Sequence, residues 1–226
     1  MSQEFKLSSP NKFKLSMANG YATKLFKTSA FLLVLITICP AQAAYSVILA
    51  FGDSLTAGYG LPRADGFVAQ LQSALKKSGK PVRVKNGSVS GDTTSSGRAR
   101  LDWALDEPVD LVIVELGAND ALLGVSPQVT RNNLNAILVE LKRRQIPVLL
   151  AGMLAPPNWG PEYSRAFNSI YPDLAKLHDV KLYPFFLDGV AAKMHLNQSD
   201  GIHPNANGIR IIVEALTPYV LDLLER

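Results

Sequence analysis

The alternation of short apolar runs with amphipathic segments is the feature that most constrains the fold of this chain. Runs rich in valine, leucine and isoleucine predict β-strands at 47–51, 82–85, 111–116, 147–153 and 181–183. Apolar residues recur at helical spacing over 67–77, 96–105, 127–144, 163–178 and 207–224. Strands that are apolar on both faces and alternate with helices are typical of a parallel sheet covered on both sides. We therefore expect one three-layer α/β/α domain with a parallel five-stranded sheet over residues 44–226.

The first 43 residues have the pattern of a secretory signal. Lys24 and Lys27 precede an apolar run over 30–39, and the sequence Ala-Gln-Ala at 41–43 provides small residues at cleavage spacing. The run of about ten residues is well short of the roughly twenty that a helix needs to cross a bilayer. We therefore predict cleavage after Ala43, a periplasmic or secreted product, and no stable membrane insertion of the mature chain. Met17 is an alternative start, and the only cysteine, Cys39, lies in the leader.

The charge distribution gives no reason to expect a nucleic-acid partner. The formal net charge is +4, from 23 basic and 19 acidic residues. Five of the lysines and one glutamate lie within residues 1–43, so that the rest of the chain carries 18 residues of each sign. The positive balance therefore belongs to the leader and says little about partners. We expect the mature domain to be a monomer.

Clusters of small and polar residues follow the predicted strands. They lie at 51–55 (Phe-Gly-Asp-Ser-Leu), 86–92 (Asn-Gly-Ser-Val-Ser-Gly-Asp), 117–120 (Gly-Ala-Asn-Asp) and 200–204 (Asp-Gly-Ile-His-Pro). Doubly wound sheets bind their ligands at the carboxyl ends of the strands. The four clusters are therefore predicted to meet at one edge of the sheet and to form the functional site there.

The residue types in these clusters suit a serine hydrolase. The hydroxyl of Ser54 is a weak nucleophile that needs a base in contact, with a third group to orient that base. His203 and Asp200 are three residues apart, so one turn can present His203 as the base and Asp200 as its orienting partner. Backbone N–H groups of Ser54 and Gly91 and the side-chain amide of Asn119 are candidate donors of an oxyanion hole.

The four clusters resemble the sequence blocks of the GDSL, or SGNH, hydrolase superfamily, whose four letters fall on Ser54, Gly91, Asn119 and His203. Phrases such as Val-Glu-Leu-Gly-Ala-Asn-Asp at 114–120 and Asp-Gly-Ile-His-Pro-Asn at 200–205 are similar to its periplasmic thioesterase I, lysophospholipase and arylesterase group. The resemblance implies a flavodoxin-like sheet, no metal and no cofactor. It also implies hydrolysis of small acyl esters, thioesters or lysolipids through an acyl-enzyme.

A loop after the third cluster, at about 122–126, is implied by the same resemblance to be mobile and to close over acyl chains. Its apolar segment consists of Leu122, Leu123, Gly124 and Val125. These residues would line an acyl pocket, or they would simply pack on the core, and the sequence leaves both interpretations open.

Other interpretations of the chain have weaker support. The segment 58–63 begins like a dinucleotide fingerprint, but Arg63 replaces its third glycine. His195, Asp200 and His203 could in principle bind a metal, but their spacing matches no metal signature. Two alternatives to acyl-ester hydrolysis remain, which are O-deacetylation of a carbohydrate by the same fold and lipid binding without turnover. The presence of every expected catalytic residue argues against a purely binding protein.

Overall fold

The structure is a computed structural model that describes residues 45–225. The predicted signal segment at 1–43, including the cleavage site after Ala43, lies outside the described residues. Within 45–225 the strands are β1 (Ser46–Gly52), β2 (Val82–Asn86), β3 (Leu111–Glu115), β4 (Val148–Ala151) and β5 (Lys181–Tyr183). They form one parallel sheet in the order β2-β1-β3-β4-β5.

The helices of this part of the chain connect the strands and follow the last one. They are α1 (Ser54–Ala57), α2 (Phe67–Lys77), α3 (Thr94–Ala99), α4 (Leu101–Ala104), α5 (Ala118–Leu122), α6 (Pro127–Arg143), α7 (Gly160–Asn168), α8 (Ile170–His178) and α9 (Ala206–Leu224). Short 3-10 turns lie at Arg63–Asp65, Pro157–Trp159 and Met194–Leu196.

Burial on both faces explains why the strands are apolar throughout. Every residue of β3 is buried, as are the last five residues of β1. From β1 to β2 the chain moves towards one edge of the sheet, and from β2 to β5 it moves towards the other edge. Connections between parallel strands are right-handed, so the reversal places α2 on one face of the sheet and α3, α6 and α8 on the opposite face. Accordingly α2 packs against α9, whereas α6 packs against α3 and α8. The predicted three-layer, flavodoxin-like α/β/α fold is confirmed.

The longest helix on the second face shows how the sequence pattern becomes packing. Pro127 occupies the first turn of α6, where its missing N–H costs nothing. The buried apolar residues of α6 follow the spacing of one helical face and comprise Leu134, Ile137, Leu138 and Leu141. Lys142 and Arg143 lie in the last turn, where positive charge complements the helix dipole.

Two segments predicted as single helices are each divided in two. The segment predicted over 96–105 changes from α3 to α4 at Arg100, whose side chain is drawn towards the ends of β1 and β2. The segment predicted over 163–178 begins earlier, at Gly160, and is interrupted at Ser169. Pro172 lacks the N–H that would bond to the carbonyl of Asn168, which accounts for the second interruption.

The strand order places a topological switch point at the carboxyl ends of β1 and β3. Connections leave these two neighbouring strands towards opposite sides of the sheet, and such a switch point is where open α/β sheets bind ligands. Ser54 follows β1 directly, and Asn119 follows β3. Over residues 45–225 no helix is both long and apolar enough to cross a membrane.

Candidate active site

Ser54 is presented by a tight turn between β1 and the short helix α1. The side chain of Asp53 caps this helix by accepting a hydrogen bond from the N–H of Leu55 at 3.0 Å. Gly58, at φ 87°, ends the helix in the left-handed conformation. A Cβ on Gly52 would lie 2.3 Å from the Thr56 hydroxyl oxygen, so only glycine fits at the end of β1. The turn is therefore fixed on both sides of Ser54.

Ser54, His203 and Asp200 form a continuous chain of hydrogen bonds. The Ser54 Oγ lies 2.9 Å from His203 Nε2, and His203 Nδ1 lies 2.7 Å from Asp200 Oδ2. The other carboxylate oxygen of Asp200 accepts the backbone N–H groups of His203 at 3.0 Å and Ile202 at 2.9 Å. These bonds, led by the backbone N–H of His203, lower the pKa of Asp200 to about 2. Asp200 is thus ionised at neutral pH and holds the proton of His203 on Nδ1, which leaves Nε2 free to accept from Ser54.

The loop that carries His203 is joined to the loop that follows Ser54. The ring of Tyr59 lies against the His203 imidazole, with 4.6 Å between the ring centroids. Gln198 donates its amide to the carbonyl of Tyr59 at 2.8 Å, and its backbone N–H donates to the carbonyl of His203 at 2.7 Å. These contacts fix the position of the imidazole relative to Ser54.

Of the predicted oxyanion donors besides Ser54, Gly91 lies in the loop after β2 and Asn119 lies in the first turn of α5, which follows β3. Gly91 adopts φ 87° and is exposed, and a Cβ there would contact nothing within 4 Å. The amide Nδ2 of Asn119 donates to the backbone carbonyl of Asp92 at 2.9 Å and to Asp53 Oδ2 at 3.2 Å. Both amide hydrogens therefore have acceptors in the free protein. To serve an oxyanion, Asn119 has to share or exchange the longer of these bonds, the one to Asp53.

Arg100 ties these loops to the sheet. Its guanidinium donates to the carbonyl of Gly52 at 3.0 Å, to the carbonyl of Gly87 and to the carboxylate of Asp92. The guanidinium carbon also lies 4.4 Å from the centroid of the Phe51 ring. One side chain thus holds the end of β1, the loop after β2 and the residue next to Gly91.

The segment 122–125 is anchored at its backbone and exposed at its leucines. Trp159 donates its indole N–H to the carbonyl of Ala121 at 2.7 Å, and the Tyr163 hydroxyl donates to the carbonyl of Val125 at 2.8 Å. The indole packs so closely on Gly124 that a Cβ there would lie 2.8 Å from it. Leu122 is 45% exposed and Leu123 is 68% exposed. The two leucines thus face outward instead of packing on the core.

The sequence did not single out several residues that support the site. For Glu115 the sequence does contain a signal, because a charged residue inside an otherwise apolar strand is rarely buried unless it has a partner. Arg100 and Trp159 gave no comparable signal, because their partners are backbone carbonyls distant in sequence. Over 45–225 no group of three or more His, Cys, Asp or Glu side chains is arranged to hold a metal ion.

Comparisons with known proteins bear on the whole domain. The family model described as GDSL-like Lipase/Acylhydrolase family matches residues 50–211. "Esterase TesA" of Pseudomonas aeruginosa is 40% identical over 193 residues, which cover 85% of this chain and 94% of that protein. "Thioesterase 1/protease 1/lysophospholipase L1" of Escherichia coli K12 is 39% identical over 193 residues, covering 85% of this chain and 90% of that protein.

Solved structures give the same result. The structure of AlinE4, described as an SGNH-hydrolase family esterase, is 49% identical with a TM-score of 0.68, over 80% of this chain and 97% of that one. The structure of TesA is 39% identical with a TM-score of 0.75, over 79% of this chain and 99% of that one.

Proposed function

The chain belongs to the GDSL-like lipase/acylhydrolase family, and we propose that it hydrolyses acyl esters and thioesters through an acyl-enzyme on Ser54. The observation that supports this most strongly is the uninterrupted hydrogen-bond chain from Ser54 through His203 to Asp200. A nucleophile, a base and an orienting carboxylate in that order are the parts that acyl transfer to a hydroxyl requires.

In the proposed acylation step, the Ser54 hydroxyl oxygen attacks the substrate carbonyl carbon while His203 Nε2 takes the hydroxyl proton. The carbonyl π bond opens and places a negative charge on the substrate oxygen. Collapse of this tetrahedral intermediate breaks the bond to the leaving group, which receives the proton from His203. In the second step, His203 Nε2 takes a proton from a water molecule whose oxygen attacks the acyl-enzyme carbonyl carbon. Collapse of the second tetrahedral intermediate breaks the bond to Ser54 Oγ, which receives the proton from His203, and the acid is released.

The negative charge on the substrate oxygen needs donors that are already in place. The backbone N–H groups of Ser54 and Gly91 and the amide of Asn119 are proposed to supply them. Loss of one such donor typically lowers turnover by roughly 10²–10³-fold. Asp200 is proposed to remain ionised throughout, to hold His203 in the tautomer with the proton on Nδ1, and to stabilise the imidazolium that forms.

We propose a small apolar acyl substrate, such as a simple ester, a thioester or a lysolipid. The named activities of the relatives in Pseudomonas aeruginosa and Escherichia coli include esterase, thioesterase and lysophospholipase. In this chain the exposed side chains of Leu122 and Leu123 offer an apolar surface beside Asn119. Carbohydrate O-deacetylation is the second candidate, and these leucines disfavour it because a sugar presents mainly hydroxyl groups.

Hydrolysis of p-nitrophenyl esters from acetyl to palmitoyl tests the function. The wild type should be most active on a medium or long chain, and Ser54→Ala should lose roughly 10⁴-fold or more in kcat. Ser73→Ala, which changes an exposed serine on α2, is the matched control and should retain full activity. Turnover by Ser54→Ala at the wild-type rate would refute the mechanism, and turnover restricted to acetyl esters would favour the deacetylase.

A fluorophosphonate probe separates an enzyme from a protein that only binds lipids. The probe should label the wild type and Ser73→Ala stoichiometrically and leave Ser54→Ala unlabelled. A wild type that is folded but unlabelled would point to lipid binding without turnover.

We propose that the mature protein begins after Ala43, is exported to the periplasm or beyond, and acts as a monomer. The proposal is supported by the charged, apolar and small-residue pattern of the leader. Mass spectrometry of the protein secreted from a bacterial host should find Ala44 at the N-terminus. Light scattering of the same sample should give the mass of one chain, and a dimer mass would refute the monomer.

A further inference from the structure

Glu115 is a buried carboxyl that the proposed reaction does not use. It is the last residue of β3 and the charged residue of the run Leu-Val-Ile-Val-Glu-Leu at 111–116. Its exposure is 0%, and it pairs with Gly52 across β1 and β3, directly behind the turn that carries Ser54. A Cβ on Gly52 would lie 2.6 Å from Glu115 Oε2, so the backbone at Gly52 packs directly against the Glu115 carboxyl.

One oxygen of Glu115 is hydrogen-bonded and the other is not. Oε2 accepts the Thr56 hydroxyl at 3.1 Å and the backbone N–H of Asp53 at 3.4 Å. Oε1 is buried, and no donor among the residues that the structure describes reaches it. The charge that acts on Glu115 most strongly is the Asp53 carboxylate, which has the same sign. A carboxylate in such a position is costly, whereas a protonated carboxyl needs only an acceptor for its O–H.

The acceptor that we infer is the neighbouring carboxyl of Asp53, which is also fully buried and whose own backbone N–H already reaches Glu115 Oε2. Asp53 has donors of its own, because Oδ1 accepts the Leu55 N–H at 3.0 Å and Oδ2 accepts the Asn119 amide at 3.2 Å. Burial raises the pKa of Asp53 to about 6 and that of Glu115 well above its usual range. Each oxygen of Asp53 has a donor, whereas Glu115 Oε1 has none, so the proton that the pair shares belongs on Glu115.

We propose that Glu115 is a positioning residue that remains a neutral carboxylic acid and donates its O–H to the Asp53 carboxylate. Asp53, held in this way, fixes Leu55 at the start of the helix that carries Ser54, and it fixes the amide of Asn119. The inference rests on the proposed function of this site, in which Ser54 is the nucleophile and Asn119 an oxyanion donor.

With Glu115 neutral, the pair formed by Glu115 and Asp53 carries one negative charge instead of two. A single negative charge on the pair is compatible with the imidazolium that the proposed reaction forms on His203, because the two charges are opposite in sign. A second negative charge would oppose the oxyanion and repel Asp53 from its donors. Asp92, which also faces Asp53 with the same sign, is already paired with Arg100.

Infrared spectroscopy of the whole protein at pH 7 tests the protonation state directly. The wild type should show the carbonyl band of a buried protonated carboxyl, and Glu115→Gln should lack it. Glu107→Gln is the control, because this half-exposed carboxylate pairs with Arg83 at 2.8 Å and precedes the amino end of β3. Identical spectra for the wild type and Glu115→Gln would overturn the inference. This measurement does not depend on activity, so it stays valid even if Ser54→Ala refutes the proposed function.

Kinetics then tests the positioning role. Glutamine can donate the same hydrogen bond as the acid, so Glu115→Gln should keep kcat within about threefold of the wild type. Methionine has a similar length but no donor, so Glu115→Met should lose roughly 10–100-fold in kcat with little change in KM. Equal kcat values for Glu115→Gln and Glu115→Met would overturn the inference, whether both are active or both impaired. If Glu115→Met does not fold, a large loss of kcat in Glu115→Gln overturns it alone, because that loss would mean that an ionised carboxylate is required.

Discussion

Arg100 should contribute more to stability than any surface cation of the domain, and Arg100→Ala tests this. The substitution removes donors from two backbone carbonyls and leaves the carboxylate of Asp92 without its cation. Removing one partner of a buried ion pair costs about 3–5 kcal/mol. The side chains of Arg100 and Asp92 keep 16% and 10% exposure, so water screens part of the loss. We therefore expect the free energy of unfolding to fall by about 3 kcal/mol, near the lower end of that range.

Urea unfolding followed by tryptophan fluorescence measures the change. For a domain of this size, a loss of about 3 kcal/mol corresponds to a fall in Tm of roughly 6–12 °C. Arg100→Lys keeps the charge, but an ammonium group cannot match the forked geometry of three acceptors. It should lose about 1–2 kcal/mol, since the carbonyl of Gly87 loses the arginine donor and that of Gly52 keeps only the N–H of Val89.

Arg143→Ala is the matched control. Its guanidinium pairs with Glu140 at 2.7 Å, but the arginine side chain is 68% exposed, so the loss of stability should be much smaller than that of Arg100→Ala. If Arg100→Ala costs no more than Arg143→Ala, the argument that Arg100 holds the loops to the sheet is wrong. If Arg100→Lys matches the wild type, the charge matters and the forked geometry does not.

Two further predictions concern buried polar groups. Tyr171→Phe removes the hydroxyl that donates to the buried carbonyl of Leu116 at 2.9 Å. Urea unfolding should therefore show that the free energy of unfolding falls by about 1–2 kcal/mol. The control Tyr45→Phe changes an exposed tyrosine and should show no loss. Burial raises the pKa of Asp53 from 3.8 to about 6, so the folded state binds this proton more tightly than the unfolded chain, and the wild type should lose stability as the pH rises between these values. Relative to Asp53→Asn, the loss should be about 2 kcal/mol between pH 3.8 and pH 6 and should approach about 3 kcal/mol only over a wider range that extends beyond both values. A difference that does not change with pH would contradict the assignment.

The sequence was sufficient for the fold because the relevant signals are local. The run at 111–116, which is apolar except for Glu115, predicted a strand buried on both faces, and β3 is one. Polar clusters at the strand ends predicted which residues would meet, because parallel strands end at a common edge. Ser54, His203 and Asp200 come together there although they lie far apart in the chain.

The supporting residues were harder to predict because their partners are set by tertiary contact. Arg100 continues a helical pattern in the sequence, yet its side chain bonds to carbonyls after two different strands, and the helix is divided at that point. Trp159 likewise bonds to the backbone of Ala121, 38 residues earlier in the chain. Backbone carbonyls carry no residue-specific signal, so no spacing rule reveals such pairs.

The hydrogen bond between Ser54 and His203 joins residues that are 149 positions apart. Ser54 follows the first strand, and the helix α9 that comes after His203 packs against α2 and completes the first face of the sheet. A chain that is still being synthesised, or that has lost its C-terminal part, therefore contains the proposed nucleophile without its proposed base. With these roles, hydrolytic activity would arise only with the last step of assembly, so it would report that the polypeptide has folded from end to end.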